Sequence, residues 1–211
     1  MFRVEAYERF KQRILSGELK AGQFVTQREL AQLAAVPLAA AREAIQRLEF
    51  ESLMKVFPQR GIQIADVSVG RIRDAYQLRL IYEEAAIRIF AEKASEALID
   101  DLLERTAVAA EGSRHKLTPQ LRARAVETDW AMHDTIVDHA GNSLLTEAYR
   151  INAARIRLIR VTNVVSDARL PEVFAEHAAI LEACRERDIT AALDALRRHI
   201  ETSEDRARRG I

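Results

Sequence analysis

The chain has little of what stiffens, cross-links or punctuates a fold: in 211 residues there are one cysteine, four prolines, seven glycines and 6% aromatics. A lone cysteine, Cys184, excludes an internal disulfide, so no oxidised scaffold holds this protein together. Charge of one sign is also missing. Lys and Arg number 32 against 32 Asp and Glu, which gives no overall electrostatic signature of a polyanion or membrane-surface binder. Charges recur every few positions, so no apolar run reaches the roughly 18–20 residues that span a bilayer. The opening MFRVEAYERF lacks the apolar core of a signal peptide, and the expected location is the cytoplasm.

What remains is rich in Ala, Leu, Ile, Arg and Glu, a composition that reads as mainly helical. One place departs from helical spacing. In KVFPQRGIQIADV, residues 55–67, a turn bearing Pro58 and Gly61 is followed by the alternation Ile62, Ile64, Val67, which predicts a small β-hairpin. A domain boundary is placed just after it, dividing the chain into residues 1–67 and 68–211.

The first segment predicts helices near 5–15, 26–33 and 37–52, closed by the hairpin, which is the element order of a winged helix-turn-helix. Thr26 with Glu29 forms a capping-box pattern, and Pro37 suits the first turn of the next helix. The turn Ala34 to Val36 is short, so the helix pair crosses steeply, as a helix entering a major groove requires. Arg28, Arg42, Arg47 and Arg60 are spread over the second helix, the third helix and the hairpin tip, where a duplex would meet them. The local charge excess is small, 10 Lys and Arg against 8 Asp and Glu over residues 1–66, and a solvated helical face would read the same way.

The stretch LKAGQFVTQRELAQLAAVPLAAAREAIQRLEFESL, followed by PQRGIQI, resembles the DNA-binding half of the GntR family of bacterial transcription regulators. Arg28, Glu29, Leu30, Ala31, Val36, Arg42, Glu43, Ala44, Leu48, Glu51, Leu53, Arg60 and Gly61 stand where the family pattern expects them. The resemblance implies double-stranded operator DNA as a partner, with Thr26, Arg28, Arg42, Arg47, Arg60 and Gly61 as the candidate contacts. Pro37, Leu38, Ala39, Ala40 and Ala41 depart from the family's Ser-Arg-Thr-Pro-Val, removing an arginine and two hydroxyls, and Ala35 replaces a turn glycine. The operator sequence is therefore not transferable.

From Val69 onward, helices are expected near 69–92, 95–112, 118–139, 143–161, 171–186 and 189–207, forming an antiparallel bundle. Two of them carry polar groups inside apolar stripes. Ile72, Ala75, Tyr76, Arg79, Glu83, Ala86, Ile87 and Phe90 share one face, and Leu145, Ala148, Tyr149, Asn152, Ile156 and Ile159 share another. Buried polar groups need partners, so the stripes point to a polar cavity, with Arg79 and Asn152 as candidate ligand contacts; an i,i+4 pair of Arg79 with Glu83 is the structural alternative.

Asp129 and His133 lie one helical turn apart on one face, His177 shares a face with Phe174, Leu181 and Cys184, and His199 with Ala192, Ala195 and Leu196. Any one histidine of this kind is ordinarily a satisfied core residue. Three inward histidines plus a carboxylate already spaced for chelation fit a divalent metal, zinc first and nickel or manganese next. His115 and His139 fall outside this pattern and read as surface residues.

DWAMHDTIVDHAGNSLL and EHAAILEACRERDITAALDALRRHI, with the Arg79 to Glu83 spacing, resemble the FCD effector-binding domain of the FadR subfamily of GntR regulators. That resemblance implies metal binding by Asp129, His133, His177 and His199 at the floor of an effector cavity. It also implies dimerisation through the C-terminal domain, and repression relieved by an effector. The expected function is a metabolite-responsive regulator, not an enzyme, with a small organic acid held by the metal and Arg79. A metal-dependent enzyme acting on a small carboxylate and a metal-ion sensor are the alternatives. Against the enzyme, Glu127 is off the face of Asp129 and Cys184 reads as core, so the ligands have no evident general base or nucleophile beside them.

Overall fold

The computed structural model describes residues 2–114, 117–162 and 169–210. Its elements, in chain order, are α1 (Phe2–Leu15), β1 (Phe24–Val25), α2 (Gln27–Leu33), α3 (Leu38–Phe50), β2 (Met54–Phe57), β3 (Gly61–Ile64), α4 (Val69–Lys93), α5 (Glu96–Gly112), α6 (Pro119–His139), α7 (Ser143–Thr162), α8 (Leu170–Arg185) and α9 (Ile189–Arg209). The expected helices are all present, and α1 begins three residues before the expected start. The prediction for His115 lies outside the described residues. No helix among the described residues is long and apolar enough to cross a membrane.

The chain forms two compact units, Met1–Ala75 with Arg150–Val164 and Gly210–Ile211, and Tyr76–Tyr149 with Val165–Arg209. In the first, α1, α2 and α3 enclose a core of Phe10, Ile14, Leu30, Ile45 and Leu48, sealed by Leu53, Ile62 and Ile64 from the hairpin. The hairpin is the middle and edge of a three-stranded antiparallel sheet of order β1-β3-β2, with Val25 opposite Ile62 and Val56 opposite Ile62 on the other side. β1, two residues long, is too short to leave a period in the sequence. Gly61 is required where it stands: its φ is +103, and a Cβ there would lie 2.9 Å from the Val25 carbonyl oxygen.

α2 begins as its sequence dictates. The Thr26 hydroxyl accepts from the Glu29 amide at 3.1 Å and the Glu29 carboxylate accepts from the Thr26 amide at 2.6 Å, a complete capping box. The turn into α3 passes through Ala35 at φ 49, the left-handed conformation that glycine takes without strain.

Residues 150–162, expected as part of the C-terminal bundle, pack into this first unit. Ala154 and Leu158 are 2% and 4% exposed in the same core as Phe10 and Leu48, and Arg155 Nε donates to the Glu51 carbonyl at 3.0 Å. Periodicity marks which face of α7 is buried but carries no record of the surface that covers it.

In the second unit α8 packs along both α5 and α9, and α5 meets α6. The stripe anticipated on α4 is buried throughout this span: Tyr76, Arg79, Glu83, Ala86, Ile87 and Phe90 are each at most 1% exposed. Cys184 is fully buried. His139 is half-buried, with its ring edge on Phe90 at 5.3 Å, so it packs more than the surface position expected of it.

Candidate functional site

Three helices of the second unit deliver the candidate ligand side chains. α6 carries Asp129 and His133 one turn apart, α8 carries His177 and α9 carries His199, each on the face that also bears buried aliphatic residues. Asp129, His133, His177 and His199 are 1%, 0%, 0% and 3% exposed. The Nε2 atoms of His133 and His177 are 3.3 Å apart, and those of His177 and His199 3.4 Å apart. The three rings form the tightest set, with ligand nitrogens all within 4.8 Å of one another, and Asp129 joins it through an oxygen 3.4 Å from His177 Nε2.

Two carboxylates stand behind the rings. His133 Nδ1 is 2.7 Å from Glu83 Oε2, and His199 Nδ1 is 2.8 Å from Glu176 Oε2. Burial opposes the Glu83 charge, but Arg79 and His133 outweigh it and hold the carboxyl at about 2. Glu176 is lowered as well, against its own burial, by hydrogen bonds from His199 and Arg206. Both carboxylates are therefore acceptors, so each Nδ1 is the donor and each ring turns its Nε2 toward the centre. Burial pushes the His199 ring down to about 4 despite Glu176, and holds His177 well below its ordinary range with further repulsion from the other two rings.

This arrangement tests whether a metal fits. His177 can give its single Nε2 proton to one neighbour at most, and its Nδ1 is buried with no partner among the described residues. With that proton on Nδ1, three lone pairs and a carboxylate face one point, an accumulation of acceptors that a cation there would relieve. Two of the three nitrogen spacings agree: tetrahedral ligands about 2.05 Å from zinc stand roughly 3.4 Å apart, close to the observed 3.3 and 3.4 Å. The donor set fits a divalent metal. A carboxylate fixing the far nitrogen of a ligating histidine is what such sites use to orient the ring and raise its basicity.

Glu176 and Arg206 join the site without any motif or spacing in the sequence that marks them. The Arg206 guanidinium reaches Glu176 Oε1 at 2.8 Å from the last turns of α9, fixing the carboxylate that fixes His199. Glu83 stands in the apolar stripe of the sequence as a neighbour of Arg79. It joins the two, accepting from Arg79 Nε at 2.6 Å on one oxygen and from His133 on the other. Arg79 is 1% exposed, with its guanidinium 5.7 Å from the Trp130 ring centre. Burial works against its charge, and Glu83 more than compensates, raising its pKa further. Glu127 is exposed and Cys184 is a buried thiol, so neither serves the centre as a base or nucleophile.

Asn152 lies in the first unit. Its Nδ2 donates to the Ala75 carbonyl at 2.8 Å, and its Oδ1 is buried with no partner among the described residues.

The other candidate residues are on the first unit. Arg28, Arg42 and Arg60 are exposed; Arg42 Nε donates to Gln27 Oε1 at 3.1 Å, and the Arg60 guanidinium lies 5.6 Å over the Phe24 ring. Thr26 is engaged in the capping box. Arg47 is engaged too, its guanidinium 3.7 Å over the Tyr7 ring and its Nε 3.3 Å from Glu51 Oε1. Around it Tyr7 donates to Glu51 at 2.7 Å and Lys11 bonds both, a network that ties α1 to the end of α3.

Comparison with known proteins agrees in both halves. Residues 74–202 match the FCD domain and residues 2–64 match the bacterial regulatory proteins of the gntR family. The HTH-type transcriptional regulator YdhC of Bacillus subtilis is 24% identical, covering 90% of this chain and 83% of that protein. The HTH-type transcriptional repressor NanR of Cronobacter sakazakii is 28% identical, covering 92% of this chain and 80% of its own. Among solved structures, McbR/YncC of E. coli shares the fold with a TM-score of 0.75 at 18% identity, over 96% of this chain and 94% of the other. The chain is a transcriptional regulator, not an enzyme, and belongs to the GntR family, in the group that joins its winged helix-turn-helix to an FCD domain.

Proposed function

We propose that the protein is a metabolite-responsive repressor of the cytoplasm that binds operator DNA as a homodimer joined through its C-terminal domain, and that a small carboxylate at a zinc centre modulates this binding. The observation that carries the effector site is the convergence of three imidazole nitrogens on one buried point beside a buried arginine. Zinc bound there would supply a Lewis-acidic coordination position for a carboxylate oxygen. Zinc is favoured over manganese because imidazole nitrogens dominate the donor set, with nickel the next choice.

The chain's own contribution is electrostatic and positional. Arg79 is held charged by Glu83 on one edge of a five-donor group, which lets it serve an anion without the cost of ordering a free side chain. On the DNA side the proposal rests on Arg28, Arg42, Arg60 and the backbone at Gly61, with Thr26 at the start of α2; Arg47 acts chiefly by holding α1 to α3. Repression is supported by the similarity to NanR, which is described as a repressor.

The test combines three measurements on the full chain: metal content after purification, calorimetric titration with a panel of small mono- and dicarboxylates, and mobility shift on the promoter beside its own gene. Zinc near one per chain and carboxylate binding that weakens at least tenfold in Arg79→Ala are expected. A protein that purifies without metal and does not take up added zinc, or one whose carboxylate affinity ignores Arg79→Ala, sinks the effector reading. No shift of the promoter at moderate salt sinks the local-repressor reading.

A further inference from the structure

We propose that the protein reads its operator partly through the 5-methyl groups of thymine, with Leu38 and Ala39 as the reading side chains. This rests on the reading of the first unit as the DNA-binding unit and names the base chemistry it recognises.

The first turn of α3 has two faces of different character. Ala40, Ala41, Ala44, Ile45 and Leu48 turn into the core, while Leu38, Ala39, Arg42 and Gln46 point to solvent. Leu38 is 37% exposed. At helical spacing these four outward residues form one stripe, aliphatic at the start of the helix and polar one turn on. In a winged helix-turn-helix, the N-terminal residues of this second helix are the ones presented to base edges. The aliphatic end is thus the part that meets the bases.

Surrounding charge is arranged for a polyanion. The first turn of α3 holds no acidic residue, and Glu43 is paired with Arg3 at 2.9 Å. Arg42, drawn toward α2 by its 3.1 Å bond to Gln27, and the exposed Arg28 and Arg60 supply positive charge around the aliphatic end without occupying it. An arginine stripe would pair with guanine O6 and N7. Leucine and alanine have no donor, so either pair facing them leaves its groove acceptors unpaired, and only an A·T pair offsets this with an apolar contact. The thymine methyl is the apolar group that a major groove offers, so two aliphatic side chains at the reading position select A·T pairs with thymine facing the helix.

The experiment uses the full chain and a library of random duplexes. Selection is expected to enrich half-sites with thymine at adjacent positions. Replacing each selected thymine by uracil removes only the methyl, and is expected to weaken binding about fourfold per methyl, from the burial of one carbon. In Leu38→Ala, an exposed position whose change leaves the core intact, the uracil penalty at the position facing Leu38 is expected to vanish. Equal affinity for thymine and uracil duplexes overturns the proposal, as does enrichment of G·C pairs at the reading positions or an undiminished uracil penalty in Leu38→Ala. Failure to enrich any sequence overturns the DNA-binding reading itself, an outcome distinct from enrichment without methyl dependence.

Discussion

The carboxylate of Glu83 and the ring of His133 meet at 2.7 Å, and the same carboxylate holds Arg79 at 2.6 Å on its other oxygen. One anion therefore orients both a histidine of the three-ring cluster and the arginine proposed for the effector. Glu83 sits at about 2, well below the ordinary 4.5, so its contribution is complete above pH 4.5 and is lost as pH falls through 2. At neutral pH the carboxylate is wholly ionised.

Glu83→Gln keeps the shape and removes the charge. It leaves Arg79 buried without its counter-ion, a defect of about 3–5 kcal/mol, and leaves His133 free to turn. Chelator competition should show zinc affinity falling roughly 10- to 100-fold, and thermal melts should show the lower stability with and without added zinc. Unchanged zinc affinity in a folded variant would mean that Glu83 serves only the ion pair.

α7 supplies a second relationship that periodicity alone leaves open. Leu158 is 4% exposed inside the core of the DNA-binding unit, and Arg155 holds the carbonyl at the end of α3. Leu158→Ala should cost about 2–5 kcal/mol by leaving a cavity, and operator binding should weaken although the substitution lies some 90 residues beyond the wing. Hydrogen exchange would locate the damage. Loss of protection in α1 and α3 is the expected result, and loss confined to residues around the metal centre would refute the assignment of this segment.

These cases show why parts of the molecule were legible and others were not. The capping box at Thr26 and the Asp129, His133 pair are set by spacings of three and four residues within one helix, so the sequence states them directly. The three histidines were recognisable because each shares a stripe with aliphatic residues, which turns it inward whatever it meets there. Glu176 is different: it lies at the rim of its helix face, half-buried, and its role comes from Arg206 thirty positions away on α9. Pairings between helices leave no local signal. The allegiance of residues 150–162 was hidden for the same reason.

The turn between α2 and α3 holds a small reserve of stability. Ala35 has φ 49, a conformation that costs an L-residue about 1–2 kcal/mol and a glycine little. Glycine also brings more freedom to the unfolded chain, which offsets part of the gain. Ala35→Gly should therefore stabilise the protein by roughly 0.5–1 kcal/mol without altering operator affinity, as measured by denaturant unfolding and mobility shift. A loss of stability would show that the Ala35 methyl makes a packing contribution larger than its strain.

Cys184 gives a pH dependence with a definite sign. The thiol is fully buried, and burial raises its pKa from 9.0 to about 12, with Arg187 pulling weakly the other way. A group whose pKa is raised by folding stabilises the native state fully below its unfolded value, and that contribution is lost as pH climbs from 9 toward 12. The limiting size is on the order of 4 kcal/mol at 1.36 kcal/mol per pH unit. Cys184→Ala lacks this term, so the stability of the wild type should fall more steeply than that of the variant above pH 9. Native wild-type protein at pH 8 should also resist alkylation and react only as denaturant unfolds it. Fast alkylation of the native thiol, or parallel alkaline slopes for the two proteins, would contradict a buried neutral Cys184.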